Sequence, residues 1–357
     1  METPPSTATN PSQTDPTFIF ELFRGSHATE ILVSAVCHLK LFDLLADKPL
    51  SWEDLKSAAG LDERPMVVLM TALRAMGLIA QDADRRYQAT VLAAGHLGVG
   101  ADFGVDGYLG LAADNPGVLD FLERLRTNRP RGAGDPEAGA GFIFKEGMDS
   151  AMEKEAEARH LTLSLAGRAK NVAPHLARNL DLSGVKTLLD IGGGSGIYSI
   201  ALVQANPGLQ AIVMDGPEVL KVAAEFVEEH GVGDRVELLE GDMFADDLPG
   251  CDAVLLSNIL HDWDVPECEI LVKRCADAVP DGGRVLIHDV FLDDTMDGPL
   301  PLALYSASLF SLTEGRAYSA GEFRGMLEKA GLDVSGEIVP TLIHCGVLEG
   351  CRSGFPA

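Results

Sequence analysis

Short apolar runs punctuate the second half of the chain: Leu188-Leu189-Asp190-Ile191, Ala211-Ile212-Val213-Met214, Val236-Glu237-Leu238-Leu239, Ala253-Val254-Leu255-Leu256 and Val285-Leu286-Ile287. Runs this short, bounded by glycine and acidic residues, read as buried strands. They predict an α/β domain with a Rossmann-like, doubly wound sheet. Farther on, Leu302 to Leu312 predicts an apolar helix and Phe323 to Ala330 a surface helix stopped by Gly331. Glu337 to Leu348 predicts two short strands of a terminal hairpin.

The first half reads differently. Residues 1–16 are polar and proline-bearing, as in a flexible tail. From Phe18 the apolar pattern predicts a long helix through Leu45, then a capping-box start at Ser51-Trp52-Glu53-Asp54 and a helix ending near Gly60. Pro65 opens another helix stopped by Gly77, and Leu78 to Gln88 folds back around Asp82-Ala83-Asp84 as a β wing. Residues 17–100 therefore read as a winged-helix-like α-helical domain, 101–182 as a helical connector, and 183–352 as the catalytic domain.

Charge narrows the choice of partner. The 357 residues carry a formal net charge of −26, which repels phosphate and argues against nucleic acid and anionic membranes. The would-be recognition helix of the winged-helix segment offers only Arg64 and Arg74 as bases. No apolar run is long enough to span a membrane, and the start, Met1-Glu2-Thr3-Pro4-Pro5, lacks the form of a secretory signal. The six cysteines show no C-x-x-C spacing and read as free thiols of a cytoplasmic protein.

The candidate chemistry begins at Asp190-Ile191-Gly192-Gly193-Gly194-Ser195-Gly196. A tight strand-to-helix turn needs glycine, and a ligand approaches the backbone closely only where no Cβ intervenes. Gly192, Gly194 and Gly196 fit G-x-G-x-G, whereas the dinucleotide pattern would need glycine where Ile197 stands. No Walker lysine follows, so the turn suits a nucleoside ligand without phosphate, of which S-adenosylmethionine is the common one. Asp215 closes the next apolar run, where a doubly wound sheet places the acid that accepts ribose hydroxyls. The alternative is that it caps a helix beginning Gly216-Pro217-Glu218. Asp242, Met243 and Phe244 follow the third run, an acid for an exocyclic amine and two soft hydrophobes for an adenine face.

Leu189-Asp190-Ile191-Gly192-Gly193-Gly194-Ser195-Gly196, Asp215-Gly216-Pro217, Gly241-Asp242-Met243-Phe244, Asn258-Ile259-Leu260-His261-Asp262-Trp263 and Gly282-Gly283-Arg284 occur in that order. In this the chain resembles class I S-adenosylmethionine-dependent methyltransferases of the caffeate, hydroxyindole and hydroxyneurosporene O-methyltransferase type. The resemblance covers nearly the whole chain. It implies that His261 is the general base that takes the acceptor's hydroxyl proton and that Asp289 holds and polarises it. It implies homodimerisation through the amino-terminal domain. It places Ser257 with the cofactor, and Phe142, Phe144, Met148, Asn258, Asp262, Trp263, Phe310 and Glu314 with a small-molecule acceptor.

Methyl transfer from a sulfonium releases a leaving group that needs no proton, so a hydroxyl acceptor asks mainly for positioning and deprotonation. A histidine just past a strand's carboxyl end suits that task. Read without the resemblance, His261 also fits a helix-start histidine capped by Asp262 or Asp264. A metal site on His261, Asp262 and Asp264 is disfavoured because adjacent residues diverge around a helix; no metal is expected. One departure stands out: many relatives place a glutamate where Ala317 falls, and Glu314 is the residue near enough to compensate. Because a thioether needs no deprotonation, S-methylation of an acceptor such as methylthio-hydroxybutyrate is the alternative to O-methylation. A non-catalytic or pericyclase-like member of the fold is another.

Overall fold

In a computed structural model of the chain, residues 7–129 (99 and 102 apart), 152 and 154–353 (335 apart) are described. They fall into two units. One is drawn from Glu21–Gly141 and Leu292–Ala317, the other from Met1–Phe20, Phe142–Phe291 and Tyr318–Ala357.

In the first unit, the long helix expected from Phe18 to Leu45 is broken. The chain runs as helices Thr17–Arg24, Ala28–Val33 and Leu41–Leu44, joined by a 3-10 turn Gly25–His27 and a π turn Ser34–His38. Gly25 weakens the helix at the first break, and Lys40, at φ 52, cannot continue one at the last. The start at Ser51 is as expected: its hydroxyl oxygen accepts from the Asp54 N–H at 3.2 Å, and Gly60, at φ 66, closes the helix Trp52–Ala59. The next helix, Glu63–Ala75, begins two residues before Pro65. Pro65 still lies in the first turn, where a missing N–H costs nothing. Strands β1 (Ile79–Gln81) and β2 (Tyr87–Ala89) pair antiparallel with Ile79 opposite Ala89, so the chain folds back around Asp82-Ala83-Asp84 as a hairpin.

Helix Leu300–Leu312 joins this unit from far along the chain. The linear division into a catalytic domain 183–352 does not follow the contacts here, because this helix is apolar on every side and needs cover all round. It gives Leu304, Ala307 and Phe310 to the core around Leu69 and Leu73. Its last carbonyls are also served: Arg124 Nη1 donates to Ser311 O, and Arg64 Nη1 donates to Thr313 O at 3.2 Å. Phe310, expected to face the acceptor, is fully buried and packs in this core. Its ring lies 6.2 Å from that of Phe121, and the Arg64 guanidinium sits 4.9 Å above it.

The second unit carries the predicted sheet. Strands β3 (Thr187–Ile191), β4 (Gln210–Asp215), β5 (Val236–Glu240), β6 (Ala253–Ser257) and β7 (Arg284–Leu292) run parallel in the order β5-β4-β3-β6-β7. Two-residue strands β8 (Tyr318–Ser319) and β9 (Leu332–Asp333) add to β7 and β11, and β10 (Val339–Pro340) pairs antiparallel with β11 (Cys345–Arg352). The terminal hairpin is therefore present, though its last strand runs on to Arg352 and lies antiparallel to β7, Cys345 opposite Val290. All five residues of β6 are buried, as strands covered by helices on both faces require. The chain steps from β3 outward to β5, then returns to lay β6 on the other side of β3. That reversal opens a crevice at the carboxyl ends of β3 and β6, where ligands bind in such sheets.

If Phe310 is core, Phe310→Ala should lower unfolding free energy by about 3–5 kcal/mol in urea titration, with a smaller loss for Phe310→Leu. Unchanged stability with a raised KM for the acceptor would return Phe310 to the pocket.

Candidate active site

The glycine turn leaves β3 in backbone conformations only glycine takes without strain. Gly192, Gly194 and Gly196 have φ of 63, 58 and 71. A Cβ on Gly192 would lie 2.5 Å from Ile259 Cδ1, whereas one on Gly194 would meet nothing within 4 Å. Gly192 is thus held by its positive φ and crowded by the Ile259 side chain, whereas Gly194 borders open space. Asp215, at the end of β4, is half-buried; its Oδ2 accepts from Gly194 N–H at 2.8 Å and its Oδ1 from Gly216 N–H at 2.7 Å. Gly216 itself is the N-cap of helix Pro217–Glu229. Burial pushes the Asp215 carboxyl up against these two hydrogen bonds, which favour its charged form. Asp190 is fully buried with Oδ2 taking the Ser199 hydroxyl at 2.7 Å, while Oδ1 has no partner among the described residues. Burial drives its pKa up to about 7.

This set fits an adenosyl cofactor. It offers carboxylate oxygens with acceptor capacity left over, an orphaned buried oxygen and an unfilled approach to the backbone at Gly194. Past β5, Asp242 is exposed and its Oδ1 takes the Phe244 N–H at 2.7 Å in a local turn. Met243 and Phe244 are half-buried, and the Phe244 ring lies edge-on to Trp263 at 4.8 Å.

The segment after β6 carries the histidine. Asn258 turns the chain at φ 60, a conformation asparagine tolerates. Leu260–Asp262 then form a 3-10 turn, and Asp264 caps the helix Val265–Ala278 through its own bond to Val265 N–H at 2.8 Å. The turn is anchored twice, by the Cys268 thiol on Leu260 O at 3.1 Å and the Tyr318 hydroxyl on Trp263 O at 2.6 Å. His261 is buried, and its Nδ1 lies 2.7 Å from Asp289 Oδ1 on β7. Asp289 Oδ1 also accepts the Val290 N–H at 2.8 Å. His261 Nε2 is 3.7 Å from Asp262 Oδ1. Burial opposes a charge on His261, but Asp289 and Asp262 outweigh burial and the Arg168 cation, so its pKa is raised. Burial pushes Asp262 up to about 7. Asp262 Oδ1, Asp289 Oδ2 and Trp263 Nε1 are buried without hydrogen-bond partners among the described residues.

The remaining candidates scatter. Ser257 and Asn258 adjoin the histidine turn. Glu314 is half-buried and Ala317 buried, its N–H bonded to Ser306 Oγ at 3.1 Å. Both belong to the first unit. Phe142, Phe144 and Met148 lie outside the described residues. Sequence reasoning missed Arg168 on the helix Glu155–Asn179, whose Nη2 donates to Asn258 Oδ1, and His288, whose Nδ1 lies 2.8 Å from Ser257 Oγ. An arginine on a long amphipathic helix gives no local sign of an inward role.

A glycine turn and a carboxylate-held histidine thus stand at neighbouring strand ends. A family model described as an O-methyltransferase domain matches residues 138–333, and one described as an O-methyltransferase dimerisation domain matches 20–98. The chain is 36% identical over 327 residues to a 3-hydroxy-5-methyl-1-naphthoate 3-O-methyltransferase of Streptomyces sahachiroi, covering 90% of this chain and 91% of that one. It is 32% identical to an L-tyrosine C(3)-methyltransferase of Streptomyces lavendulae, covering 87% and 84%. Its fold is similar to the crystal structure of an O-methyltransferase family 2 protein from Planctomyces limnophilus in complex with apigenin, at TM-score 0.88 and 44% identity over 98% of this chain and 100% of that chain. The chain belongs to the O-methyltransferase family, enzymes of class I that use S-adenosylmethionine.

Asp190 has a consequence for stability. Because its folded pKa of about 7 lies above that of the unfolded carboxyl, the folded state keeps a proton the unfolded state has released. Stability therefore falls as pH rises between roughly 4 and 7. Asp190→Asn should flatten part of that slope in urea midpoints taken across the window; a slope equal to that of the unaltered protein would remove Asp190 as its source.

Proposed function

We propose that this chain methylates a hydroxyl group on a polycyclic aromatic small molecule, with His261 as general base. The observation that carries this reading is the 2.7 Å contact between His261 Nδ1 and Asp289. With Nδ1 donating to that carboxylate, Nε2 is the nitrogen able to take up a proton. Asp289 orients the ring and stabilises the imidazolium that forms. Asp289 Oδ2 and Trp263 Nε1, which lack hydrogen bonds among the described residues, offer polar contacts for an acceptor beside it. Supporting the acceptor class, one relative is named for a hydroxynaphthoate and a similar crystal structure contains apigenin. The tyrosine C-methyltransferase among the relatives shows that likeness at this level does not by itself dictate the acceptor atom. The histidine's carboxylate support is what favours a hydroxyl over a thioether, since only the hydroxyl has a proton to lose.

When bound, S-adenosylmethionine supplies an electrophilic methyl on a sulfonium. Asp190, Gly192, Gly194 and Gly196 cradle it in this reading, Asp215 and Gly216 take its ribose end, Asp242, Met243 and Phe244 its base, and Ser257 its methionine side. Trp263 and Asn258 border the acceptor.

The chain works as a homodimer through its amino-terminal domain in the same reading. Support comes from the dimerisation-domain match and from large apolar side chains left in solvent: Phe23 is 79% exposed, Val91 94% and Leu111 80%. Among the described residues no helix is long and apolar enough to cross a membrane; the cytoplasm is the proposed location.

His261→Ala should leave S-adenosylmethionine affinity nearly intact by calorimetry and lower turnover by about 10²–10⁴-fold. The residual rate should rise with pH as hydroxide substitutes. In the unaltered enzyme, the rate should fall on the acid side at a pH above the ordinary histidine value, because the base must be neutral and its pKa is raised. Asp289→Asn should cost less than His261→Ala. Near-normal turnover with a flat profile in His261→Ala would sink the base assignment.

Sedimentation at micromolar concentration should show a dimer, and an acidic residue in place of Phe23 should shift it toward monomer. A monomer in the unaltered protein refutes the proposed assembly.

A further inference from the structure

We propose that Arg168 is a positioning residue for the transfer: its guanidinium fixes the Asn258 side chain at the head of a buried hydrogen-bond chain through Ser257 and His288, and so holds the corner from which His261 projects. This rests on the reading of His261 as the base.

The first links of this chain of bonds have a fixed polarity. Arginine donates and never accepts. Arg168 Nη2 gives hydrogen bonds to Asn258 Oδ1 and, at 2.9 Å, to Cys345 Sγ. The Asn258 amide must therefore turn its oxygen toward Arg168, which aims Nδ2 at Ser257 Oγ, 3.1 Å away. Ser257 Oγ in turn lies 2.8 Å from His288 Nδ1. His288 Nε2 lies 3.1 Å from Thr341 Oγ1, which closes the chain. Burial, with the Arg168 cation adding to it, takes the His288 pKa down to about 3, so the imidazole stays neutral, with one ring nitrogen donating and the other accepting.

The corner needs such a clamp. Asn258 sits in the left-handed region, and three residues later the chain must present His261 to Asp289. A backbone bond from Asn258 N–H to His288 O at 2.8 Å ties the same corner to β7. Side chains from the long helix, β6, β7 and the segment before β11 thus meet at one point. Charge acts there too. Among the described residues, Asp289 from β7, Asp262 from its own turn and Arg168 from the helix Glu155–Asn179 bear on the charge of His261. The carboxylates favour the imidazolium and Arg168 opposes it.

Three variants separate these effects. Arg168→Lys keeps the charge and loses the planar fork; it should lower kcat by about tenfold or more, since small misplacements are costly. Its KM for S-adenosylmethionine and the acid limb of its pH profile should stay put. Arg168→Met should lower kcat similarly and move the acid limb to higher pH, because the opposing cation is gone. In an Asn258→Gly background, where glycine accepts the left-handed corner, Arg168→Lys should cost little more than Asn258→Gly alone. Thermal unfolding of each variant accounts for any unfolded fraction. Losses that multiply independently in the double variant would overturn the proposal, as would unchanged kcat per folded molecule in Arg168→Lys. A raised KM for S-adenosylmethionine with kcat intact would make Arg168 a direct cofactor contact and overturn it as well. Failure of the base reading is visible separately, as near-normal turnover in His261→Ala, while coupling between Arg168 and Asn258 is read from kcat alone.

Discussion

The parallel pairing of β6 with β7 is the constraint on which the site depends. Ser257 lies opposite His288 in that register, so the next residue of β7, Asp289, falls level with the turn that leaves β6. His261 reaches Asp289 only because Asn258 bends the chain at once and a short 3-10 turn follows. A slip of one residue would send every side chain of β7 to the opposite face and leave the histidine without its carboxylate. Flanking strands guard against that slip. β11 pairs with β7 along seven residue pairs, from Cys345 opposite Val290 to Cys351 opposite Arg284, and β3 holds β6 on its other edge.

Around this frame, burial sets the electrostatics. The chain is strongly acidic overall, yet the groups that matter chemically are those removed from water. Asp190 and Asp262 are each pushed up to about 7, His288 down to about 3, while His261 is raised because two carboxylates outweigh the cost of burying its charge. Two histidines separated by one strand pairing thus take opposite roles. His288 stays a neutral imidazole, and His261 is a ring whose charged form its surroundings favour. Their difference comes from what each faces: serine and threonine hydroxyls in one case, carboxylates in the other.

What the sequence by itself determined is what neighbours along the chain decide. The apolar runs dictate buried strands, Ser51 and Gly60 start and stop a helix, and Gly192, Gly194 and Gly196 announce a turn with positive φ, because each outcome depends on residues within a turn or two. The ordered motifs then named the family and, through it, the pairing of His261 with Asp289; nothing in the local pattern alone could have joined residues 28 positions apart. Other expectations failed where a local pattern was ambiguous. The apolar face from Phe18 to Leu45 looked continuous, but Gly25 and the left-handed Lys40 break it. Only the tertiary structure decided that the apolar helix Leu300–Leu312 packs with the amino-terminal unit, that Phe310 is core, and that Arg168 reaches Asn258 ninety residues away. Those outcomes turn on which surfaces meet once the sheet has closed and water has left, and a helix periodicity shows only that one face will be covered, not by what.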